Sequence, residues 1–272
     1  MNVEVVVTIN EIEKELIKAA KELRKTEPLS ESILDWQILS KKSFGEMLAA
    51  TLAQLLGGEL IQKNDLERLF LTQFQKHPSI LINAAYDLEA TVERDPACSD
   101  YLEPLLFFKG FQGIQAYRTA HSLWNEKRTF PAKMLQSIVS QKFGMDLHPA
   151  AKIGCGILLD HATNIVVGET AKIGNNVSIF HGVTLGGSGK ESGDRHPKIG
   201  DGVMLGAHAQ LLGNIRIGRG AKIGAGAVVL KNVPAHTTFA GVPAVQVGHP
   251  ENDMPSFEMQ QDFTLDAKLD PK

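Results

Sequence analysis

The chain has 272 residues, 43% of them apolar and 22% charged, and its 28 basic and 31 acidic residues give a formal charge of −3. This composition is typical of a globular protein with room for two domains. The acidic balance argues against a nucleic-acid partner, which needs a basic surface, and no stretch approaches the ~20 apolar residues of a membrane span. With two cysteines and no secretory signal pattern, we expect a cytoplasmic protein that binds neither nucleic acid nor membrane.

The first half of the chain has the periodicity of amphipathic helices. Apolar residues recur at three-to-four spacing in the stripe Ile12, Leu16 and Ala20. Asn10 is expected to cap this first helix. The same spacing predicts further helices after Asn64, from Ser79 to about Arg94, and from about Phe111 to Lys127. We therefore predict an all-α N-terminal domain over residues 1–143, in which the apolar stripes pack helix against helix.

A different period begins after Gly144. An aliphatic residue returns at every sixth position over three runs, at Leu147, Ile153 and Leu159, at Val167, Ile173, Ile179 and Leu185, and at Ile199, Leu205, Leu211, Ile217, Ile223 and Val229. Such a repeat predicts a parallel β-helix over residues 144–249, in which three hexads close a triangular coil of about eighteen residues. The aliphatic residue points into the prism, and the period alone leaves the handedness open.

The repeat is broken at two places, and its end gives way to a polar tail. Two extra residues fall around Asp160-His161-Ala162-Thr163, and an extended loop leaves the prism at residues 186–197. Since irregular segments on a rigid scaffold often carry function, the chemistry is expected at these breaks. Residues 250–272 lack the hexad and are predicted to form a mobile C-terminal tail.

Histidines stand out at the first break. Register places His161 and His181 in adjacent layers, roughly 5 Å apart, and two imidazoles in one column favour an active site. The same coil map puts Asp146 beneath Asn164. Arg195-His196, at the end of the loop, suits a carboxylate ligand. Histidines and cysteines lack the usual zinc spacings, so no metal is expected.

Several segments together resemble one family. Residues 146–154, 159–171, 181–190 and 193–199, and Ala-Gly-Val-Pro-Ala at 240–244, are similar to serine acetyltransferases. The resemblance implies a left-handed β-helix that follows a helical domain. It also implies transfer of the acetyl group of acetyl-CoA to the hydroxyl of L-serine, which gives O-acetyl-L-serine and CoA in the first step of cysteine biosynthesis.

The resemblance also implies roles for individual residues. His161 matches the family's general base and Asp146 the carboxylate that orients it. The expected substrate-binding residues are Asp95 and Asp160 for the ammonium, Arg195 and His196 for the carboxylate, and His181 beside the hydroxyl. Small residues and one lysine are candidates for the cleft that binds coenzyme A, namely Gly187, Ala207, Lys222 and Ala225.

Partners are implied in the same way. L-cysteine is expected to inhibit at the serine site, and the chain is expected to form homotrimers that pair into a dimer of trimers. Many family members end in an isoleucine that enters O-acetylserine sulfhydrylase, whereas this sequence ends in Lys272. Because an unpaired ammonium is costly to bury, we expect weak or no complex with that enzyme.

Three other interpretations stay open at this level. Another hexapeptide acyltransferase, acting on a sugar or homoserine, would keep the histidine base but has no need of groups for a zwitterion. A non-enzymatic trimeric scaffold would leave the bulged Asp160-His161 unexplained. A β-helical carbonic anhydrase would require a bound metal. Comparison of acceptor substrates, a thioester-cleavage assay and metal analysis separate them.

Overall fold

The N-terminal half of the chain is helical. A computed structural model describes residues 9–58, 61–189 and 192–260. The α-helices are α1 Ile9–Thr26, α2 Glu31–Leu34, α3 Phe44–Leu56, α4 Lys63–Lys76, α5 Ser79–Arg94, α6 Leu102–Phe107, α7 Lys109–Asn125, α8 Thr129–Phe143 and α9 Pro255–Glu258. A 3₁₀ turn at Pro28–Ser30 precedes α2, and a π-helical turn at Asp35–Leu39 follows it.

The helices predicted from spacing are present, with shifted ends. The prediction for α5 is confirmed at both ends, whereas the cap assigned to Asn10 is wrong, because α1 begins at Ile9 and contains Asn10. Helix α3 was not among the predicted helices, because it is buried on nearly every side and so lacks a single apolar stripe. Its start is nevertheless encoded locally, since the Ser43 side chain accepts the Glu46 N–H at 3.2 Å.

The second half is a prism of short parallel strands. The strands are β1 Asp146–Leu147, β2 Lys152–Ile153, β3 Leu158–Leu159, β4 Val166–Val167, β5 Lys172–Ile173, β6 Ser178–Ile179, β7 Thr184–Gly186, β8 Lys198–Ile199, β9 Met204–Leu205, β10 Gln210–Leu212, β11 Arg216–Ile217, β12 Lys222–Ile223, β13 Val228–Val229, β14 Thr238–Ala240 and β15 Val245–Gly248. Sheet A has the order β1-β4-β7-β10-β13, sheet B is formed by β2, β5, β8 and β11, and sheet C contains β3, β6, β9, β12, β14 and β15.

The register confirms the hexapeptide period. Leu147 pairs with Val167, and Leu159 with Ile179, so equivalent aliphatic positions stack from coil to coil. Ile179 pairs in turn with Leu205 across the extended loop. These side chains are buried and form the interior of the prism. Each insertion is therefore expelled at a corner while the ladder of hydrogen bonds continues beneath it.

Two corners of the prism concern the rest of the molecule. The chain passes from sheet C to sheet A at what we call the His161 corner, which includes residues 160–165, 180–183, 206–209 and 224–227. It passes from sheet A to sheet B at the His196 corner, which includes residues 148–151, 168–171, 187–189 and 192–197. Sheet A therefore separates the two corners within one chain.

A buried carboxylate joins the helices to the first coil. Asp87 of α5 is 0% exposed and accepts hydrogen bonds from Arg118 Nη2 at 2.6 Å and Gln115 Nε2 at 2.9 Å, both on α7. Its other oxygen accepts the Ile157 N–H at 2.9 Å, just before β3. Arg118 continues to the Gly154 carbonyl at 2.7 Å. The pair thus fixes α5 and α7 against the prism with nearly every polar atom satisfied.

The end of the chain is folded as far as the structure describes it. Strand β15 turns back antiparallel to β14, and α9 buries Pro255 and Ser256. The expectation of a mobile tail from residue 250 is therefore wrong for residues 251–260, because side chains within this polar stretch pack against the rest of the protein. Lys272 and the prediction based on it lie outside the described residues. No helix in the described part of the chain is long and apolar enough to cross a membrane.

Replacement of Arg118 by methionine should leave Asp87 buried without its cation. Removal of one partner of a buried ion pair typically costs about 3–5 kcal/mol, so we expect the free energy of unfolding in urea to fall by about that amount. The matched control is Arg68→Met, which breaks an exposed pair with Asp65 and should change stability by less than about 1 kcal/mol. Equal effects of the two substitutions would contradict this account of the junction.

Candidate active site

A cleft of about 840 Å³ lies where α5, the turn between α6 and α7, the His161 corner and the C-terminal segment meet. Asp95, Asp160 and His161 line it, and Lys109 lies at its edge. Aromatic side chains supply much of the remaining wall, namely Phe107, Phe108, Phe180 and Phe257. Two of the predicted substrate-binding residues and the predicted base are thus brought together by elements from three parts of the chain.

The two inserted residues aim His161 into this cleft. His161, Ala162 and Asn164 have φ values of 54°, 57° and 60°, a left-handed conformation that non-glycine residues seldom adopt. The turn is held by the Asn164 N–H, which donates to the Gly144 carbonyl at 2.7 Å, while Ala162 is fully buried beneath it. The His161 side chain is consequently 76% exposed and accessible to a substrate.

The carboxylates of Asp160 and Asp95 give the cleft a negative pole. Burial raises the pKa of Asp160, the nearby imidazole of His161 opposes this shift, and the charge of Asp95 adds to it. His161 Nε2 lies 3.8 Å from Asp160 Oδ1. Asp95 directly follows α5 as its C-cap residue, and its carboxylate accepts the Ala97 N–H at 2.9 Å. Two neighbouring carboxylates form a favourable site for an ammonium group.

Imidazoles form a column along the His161 corner. The ring centroids of His161 and His181 are 5.9 Å apart, near the spacing expected from register. The column continues to His208, whose ring lies edge-on to His181 at 4.9 Å. His208 was not predicted from the sequence, because it is the fourth residue of its hexad, whereas His161 and His181 are the third of theirs; it packs over Gly182. His181 Nδ1 is buried without a hydrogen-bond partner among the described residues.

Arg195 and His196 lie at the His196 corner, which sheet A separates from the His161 corner. Both backbone N–H groups donate to Thr170 Oγ1, at 3.0 and 3.1 Å, and Arg195 Nη2 donates to Glu169 at 2.8 Å. His196 is packed over Gly168, where a Cβ would stand 2.0 Å from the imidazole. Burial lowers the pKa of His196, and Arg195 and Lys198 lower it further. These residues are not part of the cleft that holds His161 in the same chain.

Asp146 does not bond to His161 within the described chain. The coil map that placed it beneath Asn164 is wrong, because the two inserted residues move its pairing partner to Val166. Its carboxylate accepts a hydrogen bond from Gln136 Nε2 at 2.6 Å. Asp146 also raises the pKa of His148, whose net shift is downward because of burial. It therefore belongs electrostatically with the groups near the His196 corner.

The small residues that are candidates for coenzyme A contacts are divided between the His161 corner and the His196 corner. Ala207 and Ala225 occupy the His161 corner in successive coils, and the Gly226 N–H donates to the Ala207 carbonyl at 2.8 Å. Gly187 is exposed beside Arg195 at the other end of the sheet. Lys222 differs from the expectation of an accessible lysine, since it is only 6% exposed. Within the described ranges, no cluster of three or more histidine, cysteine or acidic side chains is arranged to hold a metal.

A hexapeptide β-helix with an exposed histidine at a corner bulge and an acidic cleft beside it defines an acyltransferase of the hexapeptide-repeat class. Residues 12–116 match the family model "Serine acetyltransferase, N-terminal", and residues 196–231 match "Bacterial transferase hexapeptide (six repeats)". Serine acetyltransferase of Escherichia coli K12 is 51% identical over 248 residues, which are 91% of this chain and 91% of that protein. The chain belongs to the serine acetyltransferase family, and the protein is an enzyme of that class.

Solved structures agree with this assignment. Serine acetyltransferase from Vibrio cholerae superposes with a TM-score of 0.93 at 46% identity, over 94% of this chain and 99% of that one. The fold is accordingly the left-handed β-helix of this family. A serine acetyltransferase in complex with cysteine matches with a TM-score of 0.92 at 47% identity, over 94% of this chain and all of that one. The soybean enzyme has been solved with serine, at 50% identity and TM-score 0.85 over 87% and 97% of the two chains.

Replacement of Asp160 by asparagine should stabilise the fold while it harms the site. The folded-state pKa of Asp160 is raised, so ionisation begins to destabilise the native state above the ordinary aspartate pKa and does so in full above the raised pKa. We expect Asp160→Asn to melt at a higher temperature than the parent protein at pH 7, with the difference shrinking toward pH 4. Asp194→Asn is the control, because Lys198 lowers the pKa of that carboxyl and its loss should not raise the melting temperature. A melting difference that does not change with pH would contradict this assignment.

Proposed function

We propose that the protein transfers the acetyl group of acetyl-CoA to the hydroxyl of L-serine, with His161 as the general base. The observation that carries this proposal is the exposed imidazole of His161 beside the carboxylates of Asp95 and Asp160. His161 takes the proton of the serine hydroxyl as its oxygen attacks the thioester carbonyl. The C–S bond then breaks, the acetyl group stays on the serine oxygen, and the leaving thiolate of coenzyme A recovers a proton. The products are O-acetyl-L-serine and CoA, which would start cysteine synthesis from serine.

The acceptor is recognised through its two charged ends. The ammonium of L-serine binds between Asp95 and Asp160, and its hydroxyl lies near His161 and His181. A sugar or homoserine acceptor is disfavoured, because a sugar has no ammonium and homoserine is one methylene longer. The structure of the soybean enzyme with serine supports the same choice for this relative.

Arg195 and His196 are proposed to bind the serine carboxylate from a second copy of the chain. Within one chain sheet A separates them from His161, so both sets can contact one small amino acid only at an interface between prisms. A cyclic trimer supplies three such interfaces through the same pair of surfaces. Glu169 and Thr170 would then hold the guanidinium and imidazole of the carboxylate site in place. Asp146, on sheet A between the two corners, is proposed as the carboxylate that orients the base.

Coenzyme A is proposed to lie in the same cleft between prisms. Ala207 and Ala225 leave room for the pantetheine arm to approach backbone amides at the His161 corner, and Gly187 does so on the facing surface. Acetyl-CoA is a co-substrate rather than a resident cofactor. A Brucella abortus relative with 45% identity and a TM-score of 0.86, over 88% of this chain and 95% of that one, has been solved in complex with coenzyme A.

L-cysteine is proposed as an inhibitor that occupies the serine site. It presents the same ammonium and carboxylate, and its thiol replaces the hydroxyl near His161. Inhibition should therefore be competitive with L-serine, and the cysteine complex of a relative supports this proposal. The pairing of trimers through the N-terminal helices and the cytoplasmic location stay predictions.

The role of His161 is tested by its replacement with alanine. Because the side chain is exposed and outside the prism core, folding should be unaffected, while kcat falls by a factor on the order of 100 or more. Release of free CoA from acetyl-CoA, measured with and without L-serine, reports the activity. Asp146→Asn should cost less, since it disturbs orientation rather than the base. His77→Ala, at a half-exposed histidine of the helical region, is the control, and near-normal turnover of His161→Ala would remove that residue from the mechanism.

The two-chain site is tested by mixing two inactive variants. His161→Ala and Arg195→Ala damage opposite sides of the same interface, so a trimer that contains both has one interface with neither substitution. Random assembly makes three quarters of trimers mixed, and we expect recovery of about a quarter of parental activity after co-refolding. Two portions of the same variant, mixed in the same way, should recover nothing. Absence of recovery in mixed trimers would show that each site belongs to a single chain.

A further inference from the structure

Arg94 is a buried cation surrounded by neutral acceptors. It is the last residue of α5, is 4% exposed, and has no carboxylate within ion-pair distance among the described residues. Burial lowers its pKa to about 10, so the guanidinium still carries its charge at neutral pH. Most buried cations are paired with an anion. The position of Arg94 therefore needs a reason other than ion-pair stability.

The acceptors of Arg94 lie on β6 or in the turns that precede β3 and β6. Nη1 donates to the Gly156 carbonyl at 3.1 Å and to Ser178 Oγ at 3.3 Å, and Nη2 donates to Asn176 Oδ1 at 3.4 Å. Ser178 is the partner of Leu158 in the ladder, two residues before Asp160. In the chain, Arg94 immediately precedes Asp95. One side chain thus connects the helix end that carries one carboxylate with the strands that carry the other.

The C-terminal segment closes over the same guanidinium. The Phe257 ring lies 4.0 Å from Arg94 Cζ, which is the distance of a cation–π contact. Ser178 Oγ, which accepts from Arg94, donates to the Ser256 carbonyl at 2.7 Å. Phe257 and Met259 then form part of the cleft wall. Arg94 is therefore the common contact of α5, the prism and the C-terminal segment.

We propose that Arg94 is a positioning residue for the amino-group subsite. Its guanidinium sets the separation of the Asp95 and Asp160 carboxylates, and the segment that carries Ser256 and Phe257 holds it in place. The inference rests on the proposed function, because it assigns those carboxylates to the ammonium of the acceptor. Loss of the Arg94 guanidinium lets the last turn of α5 move. This movement misplaces Asp95 while the base and the thioester site are untouched.

The experiment compares Arg94→Lys with Arg128→Lys, an exposed arginine at the start of α8. Lysine keeps the charge but cannot bridge three acceptors with a planar fork. We expect KM for L-serine to rise about tenfold in Arg94→Lys, with kcat and KM for acetyl-CoA within about twofold of the parent enzyme. Arg128→Lys should leave all three constants unchanged.

A second pair of variants avoids a buried charge. Ser178→Ala removes the hydroxyl between Arg94 and Ser256 without contact to the substrate, and should raise KM for L-serine about threefold with kcat unchanged. Ser122→Ala, at a buried serine of α7, is its control. If Arg94→Lys does not fold, as judged by light scattering and thermal melting, Ser178→Ala decides the question.

The two levels of the proposal fail differently. A parent enzyme that releases CoA no faster with L-serine than without it would refute the proposed function. If the parent enzyme is active and KM for L-serine is unchanged in both variants, only the proposed role of Arg94 is refuted. The same conclusion follows if KM for acetyl-CoA or kcat changes as much as KM for L-serine, because such a pattern indicates general distortion.

Discussion

The carboxylate of Asp87 is the constraint on which the geometry of the site depends. It accepts hydrogen bonds from α7 and from the backbone before β3 while it sits on α5. A helix packed only through apolar side chains could slide along the prism at little cost, but a buried carboxylate loses its donors if it moves. The end of α5 is therefore held at a fixed place beside the His161 corner, and the cleft exists because of that placement.

The candidate site combines residues from the regular prism, the helices and the C-terminal segment. The prism supplies regular layers about 5 Å apart, and the inserted residues at the corner convert one layer into an exposed imidazole. The helices supply an acidic residue at a helix end, and the C-terminal segment supplies an aromatic wall. Each part is rigid because its own interior is satisfied, so the residues that contact substrate need little stability of their own.

The sequence predicted the features that come from repetition. The hexad period predicted the strands and the two breaks but placed Asp146 two residues out of register, and the resemblance of Asp160-His161 and Arg195-His196 to family motifs identified candidate residues. The sequence could not predict contacts between separate elements. The bond from Gln136 to Asp146, the burial of Lys222 and the contact of Phe257 with Arg94 depend on how helices and tail pack. Helix α3 was missed because a fully buried helix has no amphipathic stripe, although its Ser43 and Glu46 gave a usable local signal.

The corner insertions have a consequence for how such an enzyme can change. In a solenoid each coil touches only its neighbours, so the loop between β7 and β8 can vary in length and composition without disturbing the stacked interior. His161 lies on a different coil and at a different corner from that loop. A change in this loop can therefore alter the surroundings of Arg195 and His196 while the bulge that presents His161 and Asp160 is left intact.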